Sequence, residues 1–135
     1  MKVDGQCHCG AIIYEAEVEP NTISICNCAD CQRLFGTVFR ANVPAPADKF
    51  RIISGTPRTY LKTADSGAKR IHAFCENCGG PIYACAAKNP QVFSLRIGAL
   101  NQRYELGIPY RQIWAKCRFA WLSDIDSIPG IDGQP

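Results

Sequence analysis

Apolar and polar residues alternate along this chain in runs of four to seven, most of them bounded by Gly, Pro, Asn or Ser, and hardly any stretch sustains a helical period over three turns. The pattern predicts a mainly β protein. The strand candidates are Ala11–Ala16, Thr37–Val43, Phe50–Ile53, Arg58–Lys62, Lys69–Phe74, Pro81–Cys85, Val92–Ile97 and Gln112–Lys116. One helical turn is expected at Asp30–Phe35, with Asp30 as its cap and Gly36 as its stop. Pro44–Asp48 reads as a rigid connector and Thr63–Gly67 as a flexible one, both too short to separate domains. The tail from Ile128 to Pro135 reads as irregular surface chain.

At 135 residues and 47% hydrophobic content, the chain has enough apolar material to close a core without disulfide staples, so residues 1–135 are expected to form one globular unit. The first residues, Met1 to Cys7, carry no apolar stretch suited to a signal peptide, and no later run is long enough to cross a bilayer. A cytoplasmic location is the expectation.

Nine cysteines change the picture. In a compartment where thiols stay reduced, and with neighbours only one or two residues apart, metal ligation explains them better than disulfides do. Seven fall into three clusters, Cys7/Cys9, Cys26/Cys28/Cys31 and Cys75/Cys78. The formal charge of +3, from 15 basic and 12 acidic residues, counts every thiol as neutral. Seven thiolates on two zinc ions bring the net charge close to zero, so the basic excess is internal compensation and gives little reason to expect nucleic acid or membrane as a partner.

The spacings carry geometric demands. Residues two apart on a flat strand lie about 6.6 Å apart at Cα, whereas thiolates sharing a tetrahedral zinc lie roughly 3.7 Å apart, so Cys7-His8-Cys9 must converge in a bend. Gly5 and Gly10 flank it and are expected to supply the backbone freedom. Cys75-Glu76-Asn77-Cys78-Gly79-Gly80 has the form of a tight knuckle whose N–H groups face the thiolates. Two such halves make a closed four-cysteine site. Cys26-Asn27-Cys28-Ala29-Asp30-Cys31 packs three thiols into six residues and leaves two readings open. Either the fourth position is free for water or substrate, as in a catalytic zinc, or Cys85, Cys117, His8 or His72 fills it and the site is structural. The triplet can also share its cysteines differently with either pair.

These motifs resemble the family of glutathione-dependent formaldehyde-activating enzymes, which includes centromere protein V-like proteins. The residues that carry the resemblance are Gly5-Gln6-Cys7-His8-Cys9-Gly10, Cys26-Asn27-Cys28-Ala29-Asp30-Cys31-Gln32-Arg33 with Gly36, and Phe74-Cys75-Glu76-Asn77-Cys78-Gly79. Gly98-Ala99-Leu100-Asn101, Ile113-Trp114, Trp121 and Ile128-Pro129-Gly130 extend it over nearly the whole chain. The resemblance implies a zinc-binding β-tent fold of short antiparallel sheets, with a structural zinc on Cys7, Cys9, Cys75 and Cys78 and a catalytic zinc on Cys26, Cys28 and Cys31. It further implies a carbon–sulfur lyase whose thiol substrate is glutathione, as S-(hydroxymethyl)glutathione. The chain departs from the family where it has Asn27 and Gln112, positions that often hold histidine, and Cys117, where a small residue is common. Asn27 and Gln112 cannot exchange a proton near neutral pH.

If the triplet zinc is open, the expected partner is a small-molecule thiol or thiol adduct, bound as thiolate because the metal lowers its pKa. Arg33 is a candidate for a substrate carboxylate, or else a counter-charge to the thiolates. His72 is expected to be a structural hydrogen-bond partner and His8 to point outward. Trp114, Trp121, Phe119 and Tyr110 are assigned to packing, and Cys85 to a buried strand position. Cys117, flanked by Lys116 and Arg118, suggests a competing reading as a thiol redox nucleophile. A non-catalytic zinc module for a protein or chromatin partner is the other alternative, and the scattered lysines and arginines disfavour it.

Overall fold

The computed structural model describes residues 1–135, and strands make up most of its regular structure. In chain order they are β1 (Lys2–Gln6), β2 (Ile13–Glu17), β3 (Ile23–Cys26), β4 (Arg40–Pro46), β5 (Phe50–Ser54), β6 (Arg58–Thr63), β7 (Lys69–Phe74), β8 (Pro81–Ala86), β9 (Val92–Arg96) and β10 (Pro109–Ile113). The single α-helix, α1, spans Ala29–Phe35. No helix is long and apolar enough to cross a membrane.

Two sheets result. β1, β2 and β5 form a three-stranded antiparallel sheet, and the other seven strands run in the order β10-β3-β4-β9-β8-β7-β6. The expectation of purely antiparallel sheets needs one correction, because β10 pairs parallel to β3. That pairing is possible because the long stretch between the two strands lets the chain return to the same end of the sheet.

The core lies between the sheets. Tyr14, Val43, Ile82, Leu95, Leu100 and Leu106 are fully buried there, and Phe50, Tyr83 and Phe93 pack ring to ring at 4.5–5.3 Å beside them. β1 and β2 explain how so polar a stretch reaches this core: Val3 alternates with Lys2 and Asp4, and Tyr14 and Ala16 alternate with Ile13, Glu15 and Glu17, so one face of each strand is apolar or small. Gly5 belongs to β1 rather than to the bend. A Cβ there would lie 2.5 Å from the Tyr14 ring and 2.7 Å from the Ala99 carbonyl, so its role is to admit the ring.

Several other expectations are redrawn. Pro44-Ala45-Pro46 is the end of β4, paired with Ser94, Phe93 and Val92, because a proline can occupy a strand wherever its missing N–H faces no acceptor. Thr63–Gly67 closes the β6–β7 hairpin through Ala64 N–H to Ala68 O at 2.8 Å. The stretch read as a strand at Gln112–Lys116 is β10 only to Ile113 and then turns, with Trp114 at φ 55° and a 3-10 turn at Ala115–Cys117. All five β10 residues are exposed, and Trp114, Phe119, Trp121 and Tyr110 are 42–58% exposed, so these aromatics are not core. No second layer covers this part of the sheet, and the chain continues as a 3-10 helix over Ala120–Ser127 and an exposed tail.

Candidate metal centres

The first cluster joins the end of β1 to the β7–β8 turn. Cys7 N–H bonds Ile12 O at 3.1 Å and Gly10 N–H bonds Cys7 O at 3.0 Å, which bends the chain so that Cys7 and Cys9 converge. Gly10, at φ 78°, is the residue that permits this turn. Opposite it, Gly79 N–H bonds Cys75 O at 2.8 Å with Gly79 at φ 74°, and Cys75 N–H bonds Gly80 O at 2.9 Å. The two halves meet with Cys7 Sγ 3.6 Å from Cys9 Sγ and Cys9 Sγ 3.7 Å from Cys75 Sγ, and all four sulfurs lie within 4.8 Å of one another. Those separations match the edge of a zinc–thiolate tetrahedron, roughly 3.7 Å.

The cluster's surroundings favour thiolates. Ile12 N–H points to Cys7 Sγ at 3.3 Å. Cys9 is lowered to about 6, first by a hydrogen bond from the Asn77 side chain and then by the Ala11 N–H. Cys78 is lowered by the N–H groups of Cys9 and Gly80. A Cβ on Gly80 would lie 3.2 Å from Cys78 Sγ and 3.5 Å from the Cys7 Cβ, so a side chain there would crowd the Cys78 sulfur.

The second cluster is built from the β3–α1 junction. Cys26 ends β3, Cys28 caps α1, and Cys31 sits in the helix's first turn, with all three sulfurs within 4.8 Å of one another. Cys28 is the cap in place of Asp30: its sulfur accepts the Cys31 N–H at 3.3 Å, whereas Asp30 lies one step inside the helix and pairs with Lys62 at 2.8 Å. Gly36 stops the helix in the left-handed region as expected. The Cys31 thiol donates to Cys26 and draws it down to about 5, while that bond and burial raise Cys31.

Cys85, Cys117, His8 and His72 do not join this group of three. Cys85 is buried in β8, and His8 is exposed beside the other cluster. His72 is buried and its Nδ1 lies 3.2 Å from an Arg96 guanidinium nitrogen, a structural partnership. Cys117 is half-buried in a 3-10 turn, so the strand geometry expected of its flanking cations does not apply: Lys116 lies over the Trp114 ring at 5.2 Å and Arg118 donates to Ser123 at 3.0 Å. Arg33 is exposed, two residues beyond Cys31 on a different face of the helix.

Gln32, Arg40 and Arg96, which sequence reading assigned no role at the site, complete the surroundings together with Asn27 and Gln112. Gln32 Nε2 reaches three carbonyls, Asn27 at 3.0 Å, Val38 at 3.4 Å and Cys117 at 3.2 Å, and so ties the triplet to the C-terminal segment. Asn27 is fully buried and its side-chain amide reaches Ile113 O at 3.3 Å and Gln112 Oε1 at 3.4 Å, leaving Oδ1 without a partner. Arg40 lies opposite Cys26 in the β3–β4 register, and Arg96 bonds Asn42 and His72 beneath the Phe35 ring. In sequence Arg96 is legible only as one position of the Val92–Ile97 strand, with nothing local to mark it as buried. A surface concavity among Lys2, Asp4, Glu15, Glu17, Lys49 and Arg51 lies elsewhere and touches neither cysteine cluster.

A mainly β fold carrying one set of four and one set of three converging cysteines defines a class of small proteins whose sulfurs can hold zinc. The chain belongs to the glutathione-dependent formaldehyde-activating enzyme family, whose model matches residues 2–117. The β-tent expected from the resemblance is therefore the fold of this chain. A crystal structure of a Rhodobacter sphaeroides protein is similar in fold, with a TM-score of 0.61 and 24% identity, covering 81% of this chain and 98% of that one.

Proposed function

We propose that this protein is a cytoplasmic, single-domain zinc enzyme of the carbon–sulfur lyase type, acting on a thiol adduct such as S-(hydroxymethyl)glutathione. The observation that carries the reading is the contrast between the clusters: four sulfurs gather in one, and three in the other with no further cysteine or histidine ligand atom within 4.8 Å of all three. In this reading Cys7, Cys9, Cys75 and Cys78 hold a structural zinc, and Cys26, Cys28 and Cys31 hold a catalytic one whose fourth position takes the substrate thiol. The family's activity supports glutathione and formaldehyde as the reactants.

Zinc bound at the triplet supplies Lewis acidity that favours the thiolate form of an entering thiol. The chain's own residues fix the rest. Cys26 is held by the β3 ladder and Cys31 by α1, so the angle between them is set by the strand–helix junction. The Cys31 N–H holds the Cys28 sulfur, and Gln32 pins the junction to the C-terminal segment. Asn27 and Gln112 offer hydrogen bonds but no proton transfer, so proximity is the main catalytic contribution. Arg33 is a rim cation available to a substrate carboxylate.

The test is exchange between formaldehyde hydrate and its glutathione adduct, measured by NMR with and without protein. Acceleration that disappears in Cys28→Ser is expected. An exchange rate equal to that of the uncatalysed mixture, with both metals bound, would overturn the enzyme reading in favour of a carrier.

A further inference from the structure

The sheet face beside the triplet carries more positive charge than the chain neutralises. Arg40 stands opposite Cys26, and Arg96 stands opposite Asn42, two residues along the same strand as Arg40. Since residues two apart share a face, Cys26, Arg40, Asn42 and Arg96 line one side of β3, β4 and β9. Arg96 is 6% exposed, and α1 closes over it with the Phe35 ring 4.5 Å from its guanidinium carbon. Cys31 and Phe35 are one helical turn apart, so the same face of α1 meets both the cluster and the cation.

Neither guanidinium has a carboxylate partner. The chain's salt bridges are Lys49–Glu17, Arg51–Glu15, Arg58–Glu76 and Lys62–Asp30, and Asp30, the acid of α1, is thus already taken. The Nε atoms of Arg40 and Arg96 are both buried without an acceptor. The partners Arg96 does have, Asn42 and His72, are neutral: His72 accepts through Nδ1 and carries no charge of its own. Half-buried Arg70 on β7 adds to the excess.

A cation without a counter-charge is costly when buried like Arg96 or half-buried like Arg40, and the only anions on this face not already paired are the thiolates. Three thiolates around a divalent ion carry one net negative charge, fewer than the guanidiniums beside them. A neutral fourth ligand leaves the excess in place. A thiolate adds the missing charge.

We propose that Arg40 and Arg96 form a cationic wall that makes the Cys26–Cys28–Cys31 centre select an anionic thiolate over a neutral ligand in its fourth position. The proposal rests on the open-site reading above. Both arginines are positioning residues, acting on the ligand through their field rather than by contact with the reacting atoms.

Cobalt substitution makes the fourth ligand visible, because added ligands perturb the cobalt spectrum only where a position is open. The wild-type protein, loaded with two cobalt ions, is titrated with 2-mercaptoethanol and separately with imidazole. Arg40→Gln and Arg96→Met are each expected to weaken thiol binding about tenfold and to leave imidazole binding within about twofold. Arg40→Lys is expected to restore thiol binding. Equal losses for both ligands, or none for either, would overturn the wall. If Arg96→Met does not fold, the Arg40 pair decides alone, since Arg40 joins no salt bridge whose loss would disturb the fold. A wild-type spectrum that neither ligand moves would instead overturn the open-site reading.

Discussion

The ring of Phe35 lies 4.5 Å over the guanidinium carbon of Arg96, and this contact, with the Asp30–Lys62 pair and buried Cys31, seats the only α-helix on the sheet. Seven residues are too few to hold a helix by backbone bonds alone. The cap at Cys28, the stop at Gly36 and the ring at Phe35 supply the rest. Phe35→Leu keeps an apolar side chain, though a smaller one, and removes the cation–π attraction, at an expected cost of about 1 kcal/mol. Phe35→Ala loses packing as well, and about 2–3 kcal/mol is expected. Urea unfolding of the zinc-loaded protein separates the two, and a Phe35→Leu stability equal to that of the wild type would show that the ring contributes no cation–π energy.

Metal content distinguishes the clusters. Titration with a chromophoric chelator is expected to release about two zinc ions per chain in two phases, the faster from Cys26, Cys28 and Cys31. Cys26→Ser should abolish the fast phase alone. Cys75→Ser should instead unfold the protein, because its cluster ties β1 to the β7–β8 turn. A single slow phase from the wild-type chain would contradict the division of labour.

Gly5 offers a steric test of the core. Gly5→Ala forces a methyl into space held by the Tyr14 ring, which is fully buried, and the Ala99 carbonyl, which is backbone. Destabilisation of at least about 2 kcal/mol is expected, read as a shifted denaturation midpoint with unchanged slope. Gly10→Ala meets no neighbouring atom and carries only the strain of its positive φ, so it should cost about 1 kcal/mol.

How much of this was legible in sequence depends on whether the signal was local. The cysteine spacings stated their own geometry, because convergence on one ion demands bends and knuckles at fixed offsets, and the sulfurs do meet. The Lys2–Gln6 strand was missed because its only large apolar residue is Val3 and its inward partner is a glycine filled from across the sheet by Tyr14. Cys28 as the cap was missed because the sulfur was credited to the metal alone. The C-terminal aromatics were assigned to a core that does not extend that far, a fact of sheet order that composition does not carry. Arg40 and Arg96 meet only through strand register, which no spacing in the chain reveals.

His72 makes stability fall in mild acid. Burial first, and then the charges of Arg96 and Arg40, lower it to about 4 from an ordinary value of 6.5. The unfolded chain therefore binds the proton more readily, so stability drops as pH falls from 6.5 towards 4 and levels off below that. Allowing for solvent screening, the drop is on the order of 1 kcal/mol. Thiolate protonation and metal loss overlap this window, so the measurement is the difference between wild type and His72→Gln across it. Parallel curves would mean that the imidazole titrates alike in both states.

Gln32 is predicted to hold the C-terminal segment against the triplet. Its amide nitrogen is the shared donor for the carbonyls of Asn27, Val38 and Cys117, so Gln32→Leu keeps the volume and leaves three acceptors unmatched. At roughly 1 kcal/mol for each bond that water cannot replace, the loss is about 1–3 kcal/mol, confined to this end of the molecule. Cys117, half-buried in the wild type, should then alkylate several-fold faster, and the triplet metal should leave earlier while the four-cysteine metal is retained. Cobalt spectra and mass mapping of the labelled cysteines read both effects from one sample. Unchanged Cys117 labelling alongside unchanged metal release would show that β10 pairing with β3 is enough to hold the segment without the glutamine.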